Sequence, residues 1–234
     1  AGATYRLIPC GQTSGRFSRQ ALRLVWRFAG GMLGIQVLSL LLTQVDKIIL
    51  SKLLTLTEYG YYTLAAAVAG TIFIMIGPIA QAWYPRFCAL HAADQPASLA
   101  TSYHQATQLV TVVAGSLAVV VALFARELLM LWTQNAELAA RAAPIVSLLM
   151  LGNLLNGFMT LPYQMQRAHG GTSLAIKINL ATGLVIVPAI LWAVPRWGAL
   201  GAAGVWVSIN AFYVLVAIHF MYRRILTHEK WRWY

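Results

Sequence analysis

The side chains with chemistry to offer are few, and their spacing limits what they can do. Six acids, Asp46, Glu58, Asp94, Glu127, Glu137 and Glu229, are scattered along the chain. No two stand at the helical spacing that paired general acid and base work would need. The five histidines, at 91, 104, 169, 219 and 228, lack the spacing of a zinc motif. Cys10 and Cys88 show no paired arrangement and read as inert thiols. Gly11 and Gly15 are not followed by the GK[ST] of a phosphate loop. The residues thus argue for no catalytic constellation, no metal and no cofactor. What they offer instead is two polar stripes. Gln36, Ser39, Thr43 and Asp46 recur at steps of three and four, and so do Asn153, Asn156, Thr160, Gln164 and Arg167. On helices each set falls along one face.

The elements that carry these stripes are apolar. Hydrophobic residues make up 59% of the 234 and charged residues 10%, with mean hydropathy +0.68. A soluble domain carries about a quarter charged residues, so the chain reads as an integral membrane protein. The net charge of +11 raises a nucleic-acid partner, but the bases sit in short segments between apolar runs, where positive-inside residues belong. No nucleic acid is expected.

The apolar runs predict an all-α, polytopic membrane protein with six transmembrane helices, at about 27–50, 60–84, 105–125, 143–165, 174–194 and 200–221. Residues 1–23 read as a cytoplasmic loop, 24–226 as one transmembrane bundle and 227–234 as a cytoplasmic tail. Arg27 and Asp46 bound the first span, and Asp46-Lys47 forms an outer rim or gate. A turn is expected at Gly60. Tyr59, Tyr61 and Tyr62 at one end and Trp83 and Tyr84 at the other form an aromatic belt around the second span, with Pro85-Arg86 closing it. Asp94-Gln95-Pro96 is a turn signal, with Ser98 as a cap of the next helix. Thr107, Thr111 and Gly115 mark a face for close helix packing. Arg126-Glu127 ends that span, and an interfacial segment anchored by Trp132 follows. Gly170 and Gly171 break the chain after the fourth span. Pro78, Pro162 and Pro188 bend their helices by removing backbone donors. The start at Ala1 and the abrupt EKWRWY ending suggest a piece of a larger membrane protein.

Six spans place both ends on one side. Of the 17 Lys and Arg residues, Lys47, Lys52, Arg126, Arg141 and Arg196 fall on the opposite side, and all others lie with the termini. That excess puts both ends in the cytoplasm.

Polar groups at membrane depth need partners, water or substrate. For any one Ser, Thr or Asn, helix–helix hydrogen bonding is a sufficient use. Two separate stripes also fit a hydrophilic path lined by Gln36, Ser39, Thr43, Asn153, Asn156, Thr160 and Gln164. Arg27, Arg167 and Lys177 carry two readings. They can snorkel to the interface, or face a cavity and neutralise a phosphate. A basic, amide-rich interior suits an anionic, sugar-bearing ligand.

The segments LLTQVDKIILSKLLTLTEYGYYTLA, PIAQAWYPRF, LPYQMQRAHGGTSLAIKINL and RWGALGAAGVWV closely resemble polysaccharide-biosynthesis flippases. These are the Wzx-like, O-antigen translocase members of the multidrug/oligosaccharidyl-lipid/polysaccharide exporter superfamily. The resemblance covers roughly residues 17–234. It implies a transporter of two pseudo-symmetric bundles, with the six spans here as the second and the N-terminal bundle as its partner. It implies flipping of an undecaprenyl-diphosphate-linked oligosaccharide across the bacterial inner membrane by alternating access, coupled to an ion gradient rather than ATP. Other implied partners are membrane lipids and a polysaccharide polymerase or ligase. Under it the diphosphate meets Arg27, Arg167 and Lys177 at the cytoplasmic mouth. The alternatives are a multidrug or other lipid exporter, which would show a conspicuous buried acid, and a non-transporting subunit or polymerase, which would show a large external loop.

Overall fold

The computed structural model describes Trp26, Gln44, 46–169 and 173–217, with 173–181 and 217 described by backbone alone. The chain divides into two compact units, Ala1–Gln44 and Val45–Tyr234, and the second is described below. The first expected span lies almost wholly outside the described residues, as do both chain ends.

A helical stretch, 46–53, opens the second unit. Helix α1 (Leu56–Gly70) runs into α2 (Ile72–Ala92). Next come α3 (Pro96–Leu123), the short α4 (Ala125–Thr133), α5 (Ala136–Phe158), the short α6 (Thr160–Ala168) and α7 (Ser173–Phe212). A π-turn, Tyr213–Ala217, follows. Among the described residues, Leu56–Ala92, Pro96–Leu123, Ala136–Ala168 and Thr182–Val216 are long and apolar enough to cross a membrane. The protein is therefore an all-α, multi-pass membrane protein.

The run Thr182–Val216 is not one crossing. Gly198 sits at φ 57° and ψ −142°, outside helical space. A Cβ added at Gly201 would lie 2.6 Å from the Ala193 carbonyl oxygen, yet residues eight apart in a continuous helix are separated by ~12 Å. The Thr182 and Tyr213 hydroxyls also touch, although a straight helix would hold them ~46 Å apart. The chain folds back at Gly198 into two antiparallel legs, 173–197 and 199–212. Only a residue without a side chain enters that φ region cheaply, and only Gly201 lets the legs close behind it.

α5 is the centre of the bundle. It packs against α1, α3, α4 and α7, and the run it opens, Ala136–Ala168, is the most deeply buried of the long apolar runs among the described residues. Lipid tails are as apolar as leucine, so burial drives little association here, and close contact of small groups with interhelical hydrogen bonds must do it. α3 buries Tyr103, Ala106, Val110, Ala114 and Ala118 along one stripe. The expected packing face of Thr107, Thr111 and Gly115 is not used that way. Thr107 and Thr111 hydrogen-bond carbonyls of their own helix, Tyr103 and Thr107, and a methyl at Gly115 would touch nothing within 4 Å. Alanine, with no polar atom to satisfy, makes the contact instead. Gly152 and Gly157 of α5 carry the closest approaches. A Cβ there would fall 2.5 Å from Trp206 and 2.4 Å from Ile76.

Three other boundaries differ from expectation. The turn before α1 falls at Leu54–Thr55, and Gly60 is helical. Thr55 and Glu58 form a capping box, each side chain accepting from the other's backbone N–H at 3.3 and 3.4 Å. Two satisfied donors fix the helix start there, while an interior glycine costs only about 1 kcal/mol. α2 continues through Pro85 to Ala92, its last turns held on α3 by the buried Phe87, whose ring centre lies 6.2 Å from that of Tyr103. α3 starts on Pro96 at its first turn, without a side-chain cap, so Ser98 is not the cap. Proline is suited to that position because its missing N–H would have no intrahelical partner.

Two long runs are broken partway. At Thr71 the backbone tightens, with Thr71 N–H donating to Val68 O and Ile74 N–H to Thr71 O. At Met159 the amide donates to Asn156 O, and α6 starts anew at Thr160. Pro162 explains the second break: it has no N–H for the Phe158 carbonyl and its ring crowds that group. Pro78 and Pro188 lie inside α2 and α7, where they withhold a donor from Ile74 and Leu184.

Candidate functional site

The described part of the two polar stripes does two different things. Asn153, 8% exposed, is fully engaged. Its Nδ2 donates to Ala69 O at 2.9 Å, beside the irregular turn at Thr71. Its Oδ1 accepts from Trp206 Nε1 at 2.8 Å. One turn on, Asn156 Nδ2 donates to Asn210 Oδ1 at 2.8 Å, and the buried Asn210 donates to Trp206 O. These bonds tie α5 to α1 and to the second leg of the hairpin. In this arrangement both asparagines are committed to neighbouring helices. Thr160 is half-buried in the first turn of α6.

Further along the same face the character changes. Arg167 lies in the last turn of α6, where its NH1 donates to Gln164 Oε1 at 3.1 Å. Its guanidinium carbon lies 4.8 Å from the Tyr84 ring centre and 5.8 Å from that of Tyr163. Two aromatic faces hold the cation, and among the described residues no acid neutralises it. The His91 and His169 rings meet beside this end of the bundle, tilted by 38° with their centres 4.0 Å apart. His169 Nδ1 bonds the Met165 carbonyl at 2.9 Å, which assigns the proton to Nδ1 because a carbonyl only accepts.

Polar atoms without partners collect in the same region. Trp83 Nε1, Ser102 Oγ and Gln166 Oε1 are buried and unbonded, and they belong to α2, α3 and α6, three helices that pack on one another. Such atoms are costly in an apolar surround. Trp83 and Gln166 are chain neighbours of Tyr84 and Arg167, so two of these three atoms belong to the end where the guanidinium is held.

The vertical placement is consistent along two stretches of the chain. Arg167 lies 14 residues past Asn153, and Tyr84 lies 15 past Ala69, so each descends ~21–22 Å from the Asn153–Ala69 bond and they meet at one level. Asp46 sits at the opposite end of α1, where Tyr62 Oη donates to its Oδ2 at 3.0 Å and its Oδ1 is buried without a partner. Lys47 is half-buried and engaged with a neighbour. Arg27, Gln36, Ser39 and Thr43 lie outside the described residues, and Lys177 is described by its helical backbone alone.

The aromatic partners of Arg167 were not read from sequence as such. Tyr84 registers there as interfacial belt, and the His91–His169 pair leaves no mark because the two residues are far apart in the chain. The one available signal was that Tyr84 and His91, seven apart, share a face at the end of a helix.

The fold and this site define a multi-pass helical membrane protein with a basic, aromatic-lined end and polar bonds across its middle. Among the described residues no three His, Cys, Asp or Glu side chains group to hold a metal. A family model described as "Polysaccharide biosynthesis protein" matches residues 10–136, more than half of the chain, and the chain belongs to that family. This is a non-catalytic transporter class. No curated protein and no solved structure matches the chain. The matched stretch ends before Asn153, so the readings of Asn153, Asn156 and Arg167 rest on geometry.

Proposed function

We propose that the chain flips an undecaprenyl-diphosphate-linked oligosaccharide from the cytoplasmic to the outer leaflet of the bacterial inner membrane, as one bundle of a two-bundle, alternating-access transporter. The observation that carries this reading is Arg167. It is an exposed cation held at one end of the bundle by Tyr84, Tyr163 and Gln164, with no acidic partner among the described residues. A planar guanidinium matches phosphate oxygens two at a time. The family match supports a role in building polysaccharide, and the polyisoprenyl tail would remain in lipid.

In this proposal Arg167 receives the diphosphate with Arg27 and Lys177, and the sugar passes along Gln36, Ser39, Thr43, Asn153, Asn156, Thr160 and Gln164. The bonds of Asn153 and Asn156 then have a second meaning. They hold α5 closed against α1 and the hairpin, and a passing sugar would take over their amides as those helices part. Pro78, Pro162 and Pro188 mark where helices bend as they do so, while Asp46 and Lys47 gate the far rim. Both termini are cytoplasmic in this scheme, and six spans form the bundle.

The test is leaflet exchange of a polyisoprenyl-diphosphate oligosaccharide in vesicles carrying the complete transporter. Arg167→Ala with Lys177→Ala is expected to slow exchange at least tenfold. Exchange at the unmodified rate would remove the phosphate-receiving role.

A further inference from the structure

A second arginine is held in a similar way at the opposite end of the bundle. Arg196 lies in the last turn before the Gly198 reversal. Its NH1 donates to the Trp192 carbonyl at 2.6 Å, four residues back along the same helix, and its guanidinium carbon lies 4.7 Å from the Trp192 ring centre. Trp197 meets Trp192 edge to face, ring centres 5.1 Å apart. The two indoles are 56% and 55% exposed. Among the described residues no acid pairs with Arg196.

The level of this cluster follows from the hairpin. The second leg runs from Ala199 to Trp206 before reaching Asn153, which sets the hairpin tip ~10 Å beyond that bond, away from Arg167. The two arginines are thus roughly 30 Å apart along the bundle, close to one hydrocarbon thickness. Tryptophan at such a boundary is ordinary belt chemistry. The guanidinium is not explained by it, because a snorkelling arginine would reach into water rather than lie clamped on an indole. A guanidinium carries five N–H donors. The carbonyl takes one, and the rest form a fixed fork at headgroup height.

We propose that Arg196, with Trp192 and Trp197, forms a lipid-phosphate site at the face of the bundle opposite Arg167. Phosphate oxygens take the free guanidinium edge, and the exposed indoles lie against the acyl or isoprenyl chain beside it. Its role as the releasing station of the transport cycle rests on the flippase reading above, but binding at the site does not.

The experiment titrates lipid into the protein in maltoside micelles and counts retained molecules by native mass spectrometry. The probes are polyisoprenyl diphosphate and phosphatidylglycerol. Arg196→Ala is expected to weaken retention of one lipid molecule about tenfold, and Arg196→Lys to restore little of it, because an ammonium keeps the charge and loses the fork. Loss confined to the diphosphate lipid identifies the transported substrate as the occupant. Loss of both lipids identifies a general headgroup site, and either result supports the proposal. Unchanged retention of both lipids in Arg196→Ala overturns it, as does full rescue by Arg196→Lys. Arg167→Ala reports separately: if it alone leaves binding and exchange unchanged, the flippase reading of Arg167 falls and the Arg196 site stands.

Discussion

The bond between Trp206 and Asn153 gives the sharpest test of how the bundle is held together. Asn153→Ala removes two interhelical hydrogen bonds, to Ala69 O and from Trp206 Nε1, and leaves the indole N–H facing an apolar neighbour. Interhelical side-chain bonds in membranes average about 0.6 kcal/mol and reach about 1.7, so the two together should be worth ~1–3 kcal/mol. Trp206→Phe removes one of them and leaves a ring over Gly152, where contact is already close. A double-mutant cycle cancels the packing changes common to both arms and isolates the single bond, expected at ~0.6–1.7 kcal/mol. The assay is reversible unfolding by added SDS in mixed micelles, followed by far-UV circular dichroism. Two destabilised single variants whose effects add to within ~0.3 kcal/mol would refute the argument. The asparagine would then be buried without being a latch.

The hairpin supplies three further tests. Gly201→Ala places a methyl 2.6 Å from a backbone carbonyl and should cost ~1–3 kcal/mol by overpacking, while Gly204→Ala, with nothing within 4 Å, should fall within about 0.5 kcal/mol of the parent in the same unfolding assay. Gly198→Ala puts a side chain at φ 57° and should lose ~1–2 kcal/mol. Cysteines introduced by Thr182→Cys and Tyr213→Cys should be joined by a short bifunctional thiol reagent, seen as a mobility shift after cleavage of the chain between them; no cross-link would mean the legs do not fold back. At the start of α1, Glu58→Ala should cost ~0.5–1 kcal/mol through loss of the capping box, measured as earlier fraying by amide exchange.

Much of this fold was legible because membrane spans announce themselves by length and apolarity, and the two separate apolar runs expected at 174–194 and 200–221 leave room for the reversal that Gly198 makes between them. Helix ends were harder. Gly60 is a weak local signal that the Thr55–Glu58 box overrides, and Pro85 sits in a helix that the packing of Phe87 on Tyr103 carries on to Ala92. Partners were harder still. The stripe from Asn153 to Arg167 is visible as a period, but Asn153 bonds the Ala69 carbonyl, and no sequence pattern shows which backbone group a helix break presents to its neighbour. The expected Thr107–Thr111–Gly115 face illustrates the same limit: threonine satisfies itself on its own helix, which leaves the plainer alanines to make the contact. The aromatic clamp on Arg167 joins residues more than eighty positions apart, and only the packing of α2 on α6 brings them together.

The breaks at Thr71 and Met159 divide the bundle by allegiance. Above Thr71, α1 packs on α5 and the hairpin; below it, α2 packs chiefly on α3 and α6. Met159 likewise separates α5 from α6, which belongs with α2. If the proposed transport cycle tilts the lower pieces together, their fulcrum lies among the breaks, with Arg167 some 12 Å out along the arm. A tilt of about 15° at the fulcrum carries that guanidinium ~3 Å, the reach of one hydrogen bond. In the proposed transport cycle, gripping and releasing a phosphate would be a matter of leverage, set by where two helices are jointed rather than by any change in the hand that grips.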